Sequence, residues 1–156
     1  MKFKKLRLDK NAIHEFQQNR EPYLLIDFVE EVFPGKSARG YKELKSDEWW
    51  FKVHFPGDPN MPGALQMEAM VQLGALMVTT LPGNKGKVVY LSSADNFKLY
   101  KKVVPGDKLE IFTELLSWKR GMGKCDAKGF VRGKTVCSLE FTIVMPHILD
   151  EYRVKK

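Results

Sequence analysis

Between residues 64 and 81 apolar residues fall on every side of a helical projection, with Glu68 and Gln72 as the main polar breaks. An all-round apolar helix is one that is enclosed by the rest of its domain. The last third of the chain has a different period. Val136, Ser138, Glu140 and Thr142 alternate with Cys137, Leu139, Phe141 and Ile143, the pattern of an antiparallel strand with one face inward. Turn signals divide the remainder. Pro34-Gly35 separates an apolar strand at residues 23–32 from a second at 37–44, and Pro105-Gly106-Asp107 precedes a long strand at 108–119. Glycine-containing turns at 120–124 and 132–134 read as hairpins. A short helix at 10–18 is weakly signalled. The pattern predicts one long helix and five to seven strands, two of them before the helix. The simplest design that encloses such a helix is a strongly curved antiparallel sheet wrapped around it, an α+β architecture.

Composition narrows the class. The 156 residues suit one domain spanning 1–156, and a hydrophobic fraction of 44% with 12% aromatics fits a soluble globular protein. Cys125 and Cys137 are too few for a disulfide framework, lack the spacing of a zinc site, and read as free thiols that are buried or half-buried. The basic N-terminus has no apolar run behind it and is not a secretory signal. Glu68, Gln72 and Gly74 argue against a bilayer span for the apolar helix, so the expected location is the cytoplasm. The net charge is +7. The basic residues cluster at 2–7, 98–102 and 119–128, with no aromatic ladder interleaved with Arg. This disfavours nucleic acid and favours a solvated basic face or an acidic protein partner.

The chemistry concentrates between residues 53 and 84, which hold no Lys or Arg and only two acids, Asp58 and Glu68. His54 ends a run that reads like a strand and precedes a Pro/Gly-rich loop. Pro62 suits the first helical position and Asn60 is a candidate N-cap. The backbone N–H groups of Gly63 and its neighbours then lie free at the positive end of the helix, where a carbonyl oxygen gaining negative charge would be stabilised. Gln72 lies one turn beyond Glu68 on the same face. A carboxyl group enclosed by Leu65, Met67, Ala69 and Leu73 has its pKa raised by desolvation, which makes it a proton donor. His54 is the natural base. Taken singly, Glu68–Gln72 also reads as a satisfied polar pair at a helix interface, and His54 as a packed histidine.

The run HFPGDPNMPGALQMEAMVQ resembles the signature of the (3R)-3-hydroxyacyl-acyl-carrier-protein dehydratases of fatty-acid synthesis: His-Phe-x-Gly-x-Pro-x-Met-Pro-Gly, an acid on the helix, then Ala-Met-x-Gln. EPYLLIDFVEEVFPGK, residues 21–36, resembles that family's opening strand and turn. ADNFKLYKKVVPGDKLEI, residues 94–111, resembles a further segment, most closely at its Pro-Gly-Asp turn. The resemblance implies a hotdog fold and subunits that pair through their sheets. Each active site would take His54 from one chain and Glu68 from the other, with Gly63 as oxyanion donor and Gln72 as support. It implies a substrate carried on the phosphopantetheine arm of acyl carrier protein and no metal or redox cofactor. It also implies a homodimer, with a hexamer of three dimers left open, and an acidic carrier meeting Lys98, Lys101 and Lys102 near the tunnel mouth. The motif is mixed. Gly57-Asp58-Pro59 resembles the branch that also isomerises the new double bond, whereas Glu68 resembles the plain dehydratases. Asn60 replaces an apolar residue, and Gln18-Asn19-Arg20 stands where the family often has Pro-His-Arg. The alternatives are a bifunctional dehydratase/isomerase, a non-catalytic acyl-binding subunit, a thioesterase of the same fold, and a hydratase acting on coenzyme A esters.

Overall fold

The computed structural model describes residues 3–154; Lys2 of the N-terminal basic cluster lies outside them. The architecture follows from the burial of one helix. Of the 17 residues of the central helix α2 (Gly63–Thr79), 13 are buried, and they point in every direction. A flat sheet covers one side of a helix only, so the sheet curls. It has seven antiparallel strands, and α2 packs against β2 (Phe28–Phe33), β3 (Ser37–Glu43), β5 (Lys108–Lys119), β6 (Met122–Val131) and β7 (Lys134–Val144). The order across the sheet is β1-β2-β3-β5-β6-β7-β4, with β1 (Leu6–Leu8) on one edge and β4 (Tyr90–Leu99) on the other. A short helix α1 (Lys10–Phe16) is capped by the Asp9 carboxylate, which accepts from the N–H of Ala12. The short helix α3 (Pro146–Leu149) and a single 3-10 turn (Asp150–Tyr152) close the chain.

Several expectations shift. The apolar run at 23–32 is a strand only from Phe28. Its first part is an irregular segment that lies over α2, held by the Gln72 side chain, which accepts from Leu25 N–H (2.8 Å) and donates to the Tyr23 carbonyl (2.8 Å). β1 makes three strands before the helix rather than two. β4 escaped the period-2 reading because it has no inward apolar face; nine of its ten residues are exposed and Phe97 is half-buried. The hairpin after β5 turns on Arg120 and Gly121 alone, with strand pairing resuming at Met122.

Two glycines set how close the layers come. A Cβ on Gly40 of β3 would lie 2.7 Å from the Phe28 carbonyl oxygen and 3.1 Å from Leu73 of α2. One on Gly74 would lie 2.6 Å from the Phe141 ring of β7. Cys125 and Cys137 are free and buried. Burial pushes their thiols up to about 12 and about 11, so both behave as small apolar core residues.

In a solvent-facing helix, replacing glycine by alanine gains about 1 kcal/mol. Here the sign reverses. Gly74→Ala should cost about 1–3 kcal/mol through overpacking against Phe141. It would be read as a lower urea midpoint at unchanged m-value, with part of the loss recovered in the Gly74→Ala/Phe141→Leu double variant.

Candidate active site

His54 does not end a strand. Residues 48–54 form successive tight turns, with Phe51 N–H donating to Glu48 O (3.1 Å) and both Val53 and His54 N–H donating to Trp50 O (3.1 and 2.9 Å). Trp50, 1% exposed, anchors this coil in the core. The loop that follows is tied back on itself. Phe55 N–H donates to Asp58 O (2.8 Å), Asp58 N–H to Phe55 O (2.9 Å), and Asn60 N–H to His54 O (3.0 Å). Gly57 provides the positive φ of +79° that the turn between them requires. Met61 N–H donates to Val103 O (2.7 Å), which pins the loop to the segment that joins β4 to β5. On the outside, the Lys102 ammonium pairs with the Asp58 carboxylate at 2.8 Å.

The clamp reaches the ring. His54 Nδ1 lies 3.0 Å from the Asn60 carbonyl oxygen. A carbonyl only accepts, so in the neutral ring the proton sits on Nδ1 and the lone pair on Nε2. The ring is therefore held as the tautomer a base needs. Asn60 contributes through its main chain. Its side-chain amide donates to Asp58 O (3.0 Å), not to the helix, so the expected N-cap is corrected: Pro62 occupies that position and makes no side-chain cap bond. The first helical residue is Gly63. Among the described residues, the N–H groups of Gly63 and Ala64 have no backbone acceptor. A Cβ on Gly63 would lie 2.5 Å from Leu99 Cδ1, so any larger residue there requires the Leu99 side chain to move off the helix terminus.

Gln66 escaped the sequence reading. It is 2% exposed, its amide donates to Met61 O (3.0 Å), and its Oε1 has no partner among the described residues. It lines a cavity of about 370 Å³ with His54, Gly63, Leu99, Lys101 and Lys102. The available signal was a lone amide within an apolar helical run; unlike Gln72, it has no carboxylate one turn away to draw attention to it.

Glu68 faces a different cavity. It is half-buried, and the loss of hydration raises its carboxyl above the ordinary range. A hydrogen bond from Gln72 (3.1 Å to Oε1) acts the other way and is the weaker effect. Gln72 thus uses its amide on Glu68, Tyr23 and Leu25 together. Tyr23, another unanticipated neighbour, has its phenol raised by burial and by the Glu68 charge. This second cavity, about 560 Å³, runs along α2 past Glu68, Gln72, Ala75 and Thr79 and is bounded by residues 87–91. Within one chain, then, His54 and Gly63 form one half of the constellation and Glu68 and Gln72 another, in separate cavities. Lys101 and Lys102 border the His54 side. Lys98 does not; it lines a third cavity on the outer face of the sheet with Phe112, Glu114 and Asp126.

The profile of the FabA-like domain family matches residues 18–140. The 3-hydroxyacyl-[acyl-carrier-protein] dehydratase FabZ of Clostridium novyi is 41% identical over 140 residues, covering 88% of this chain and 99% of that one. The enzyme of the same name from Bacillus subtilis is 36% identical over 138 residues, covering 88% and 98%. Among solved structures, the dehydratase heterocomplex ApeI:P from Xenorhabdus doucetiae superposes with a TM-score of 0.75 at 14% identity, covering 89% of this chain and 95% of that one. That likeness is one of fold. With the helix-wrapping sheet and the clamped histidine in place, the identities over nearly the full length of both relatives are decisive: the chain belongs to the FabA-like family, among its 3-hydroxyacyl-[acyl-carrier-protein] dehydratases.

Proposed function

We propose that the protein dehydrates (3R)-3-hydroxyacyl thioesters on acyl carrier protein to trans-2-enoyl thioesters; its relatives are named 3-hydroxyacyl-[acyl-carrier-protein] dehydratases. The observation that carries this is the clamped His54 ring, whose Nε2 has no hydrogen-bond partner among the described residues, in one cavity with the helix terminus at Gly63. The thioester carbonyl accepts from Gly63 N–H, which stabilises the developing enolate. His54 Nε2 takes the proton from C2, and the electron pair forms the C2–C3 double bond. Protonated Glu68 donates to the departing C3 hydroxyl, which leaves as water. Gln72 orients the carboxyl. The elimination is redox-neutral and balances without a metal or redox cofactor. A carrier in solution makes the cytoplasm the natural compartment, and no helix among the described residues is long and apolar enough to cross a membrane.

The two half-sites meet between subunits. β4 is an unpaired edge of ten residues, about 30 Å long. The residues after its C-terminal end border the His54 cavity, and those at its N-terminal end border the Glu68 cavity. Antiparallel pairing of β4 with a second copy lays the first end of one strand beside the second end of the other. His54 of one chain then faces Glu68 of the partner subunit, twice per dimer. Pairing also hides Tyr90, Leu91 and Leu99, exposed at 59%, 40% and 52%, and removes an edge that would otherwise recruit other chains.

His54→Ala and Glu68→Ala should each lower kcat/KM by about 10²–10⁴. Subunit exchange between the two inactive dimers should restore activity, because each mixed dimer holds one intact site. Failure to complement, with mixed dimers verified by native mass spectrometry, would place both groups in one chain.

The raised Glu68 pKa sets a sign. The acid works while protonated, so kcat/KM should fall as pH climbs through its folded-state pKa, and this alkaline limb should vanish from the residual rate of Glu68→Gln. Stability moves the same way. A carboxyl raised by burial contributes stability in full below its unfolded pKa and loses it as pH rises through the folded one. The Tm of the wild type should therefore fall relative to Glu68→Gln across that window.

The carrier is acidic, and Lys98, Lys101 and Lys102 are exposed around the end of β4. Lys101→Glu should raise KM for carrier-borne substrate, most at low salt, and leave a pantetheine-borne substrate unaffected. Lys102→Glu also breaks the bond to Asp58 and should lower kcat with both substrates.

A further inference from the structure

The outward face of the sheet carries a second site, independent of the dehydration chemistry. Ser117 of β5, Lys124 of β6, Thr142 of β7 and Ser93 of β4 are successive cross-strand partners. They form one row of three hydroxyls and an ammonium at spacings of about 4.8 Å. The row floors a pocket of about 630 Å³ whose remaining walls include Lys119, Arg120, Leu149 and Tyr152. The C-terminal tail, beyond residue 140 where the family match ends, builds one of those walls. Met145 N–H donates to Gly121 O at the hairpin tip (2.7 Å), and a Cβ on Gly121 would lie 2.8 Å from Leu149 N, so tail and hairpin are in close contact. The Arg120 guanidinium lies 5.6 Å from the Tyr152 ring centroid.

Three cations thus converge on this pocket, and among the described residues none of them is in an ion pair. Hydroxyls in a row beside an ammonium and a guanidinium suit a group with several acceptor oxygens on one centre. The Leu149 and Tyr152 wall suits an apolar or aromatic body attached to it. One pleat along the strands lies a row of opposite charge, Glu114, Asp126 and Glu140, again direct cross-strand partners. That row bounds the site and repels an extended polyanion. We infer that the pocket between the C-terminal tail and the outer face of the sheet binds a phosphate monoester with an aromatic or aliphatic organic group. The phosphate lies on Lys124 and the hydroxyl row, and the organic group against Leu149 and Tyr152.

The test is calorimetric titration of the full-length protein with phenyl phosphate, with inorganic phosphate, phosphatidylglycerol vesicles and a single-stranded oligonucleotide as parallel probes. Phenyl phosphate should bind saturably and more tightly than inorganic phosphate. It should shift the amide resonances of Ser93, Ser117, Lys124 and Thr142. Lys124→Glu, at an exposed strand position, should weaken binding by about tenfold or more, the loss of a charge-assisted hydrogen bond, while Lys124→Arg retains it. Dehydratase kcat/KM should be unchanged in both variants. Three results would overturn the assignment: no saturable binding of phenyl phosphate, binding indifferent to Lys124→Glu, or binding of the vesicles or the oligonucleotide alone.

Discussion

The burial of α2 governs the rest of the molecule. A helix with apolar residues on every side has no stable exposed face, and burying one large aliphatic side chain contributes about 1.5–3 kcal/mol. Leu73, Leu76 and Met77 are all fully buried, and between them they make an uncovered helix untenable. The sheet closes most of the way round, and glycines at positions 40 and 74 let it approach to contact. Two places remain where cover is incomplete. One is the first turn and a half of the helix, where Gly63, Ala64, Met67 and Glu68 are exposed or half-buried. The other is the sheet edge formed by β4. The proposed catalytic groups lie at the first and the proposed subunit contact at the second, so both proposed sites arise where the wrapping of the helix stops.

The division of labour between loop and helix follows from what each can supply. A helix start offers fixed N–H groups at the positive end of a dipole, and its apolar surroundings raise a carboxyl that sits a little further in. It cannot easily aim an imidazole back at its own terminus, which takes a chain that reverses sharply. The 54–60 segment does this with backbone hydrogen bonds on both flanks of the ring. Its last carbonyl, that of Asn60, fixes the tautomer. A ring held this way loses little freedom on reaching the transition state, which is the advantage of pre-organisation.

Much of this was legible in the sequence. The helix at 64–81 and the strand at 108–119 matched α2 and β5 within two residues, because the first is a long apolar run stopped by Pro82-Gly83 and the second is bounded by Pro105-Gly106-Asp107 and the glycine turn after Lys119. The carboxyl–amide pair at Glu68 and Gln72 followed from i, i+4 geometry alone. What was not legible depended on partners distant in sequence. The coil at 49–54 looked like a strand because Trp49, Trp50, Phe51 and Val53 are β-formers, and tertiary anchoring of Trp50 overrode that preference. Asn60 fits the composition of an N-cap, yet its side chain turned to Asp58. Gln66 and Tyr23 acquired their importance only when the fold brought Met61 and Glu68 to them. β4 gave no periodic signal, since none of its residues is fully buried within one chain.

The ion pair between Asp58 and Lys102 shows why stability and function need separate arguments here. Both side chains are more than half exposed, at 53% and 61%, and pairs of this kind contribute about 0–1 kcal/mol to stability. Removing it should scarcely change the melting temperature. Its position is what matters. Asp58 closes the turn that begins at Phe55, its carbonyl holds the Asn60 amide, and the Asn60 carbonyl holds the His54 ring. Lys102 therefore acts on the imidazole through three consecutive short contacts, and it comes from the segment that carries Leu99 over Gly63. The proposed base, His54, and the proposed oxyanion donor, Gly63, are set by the same two pieces of chain, so a displacement of the residues after β4 moves both together. A weak surface interaction that orients a reacting group can go unnoticed in a denaturation curve and still be large in kcat.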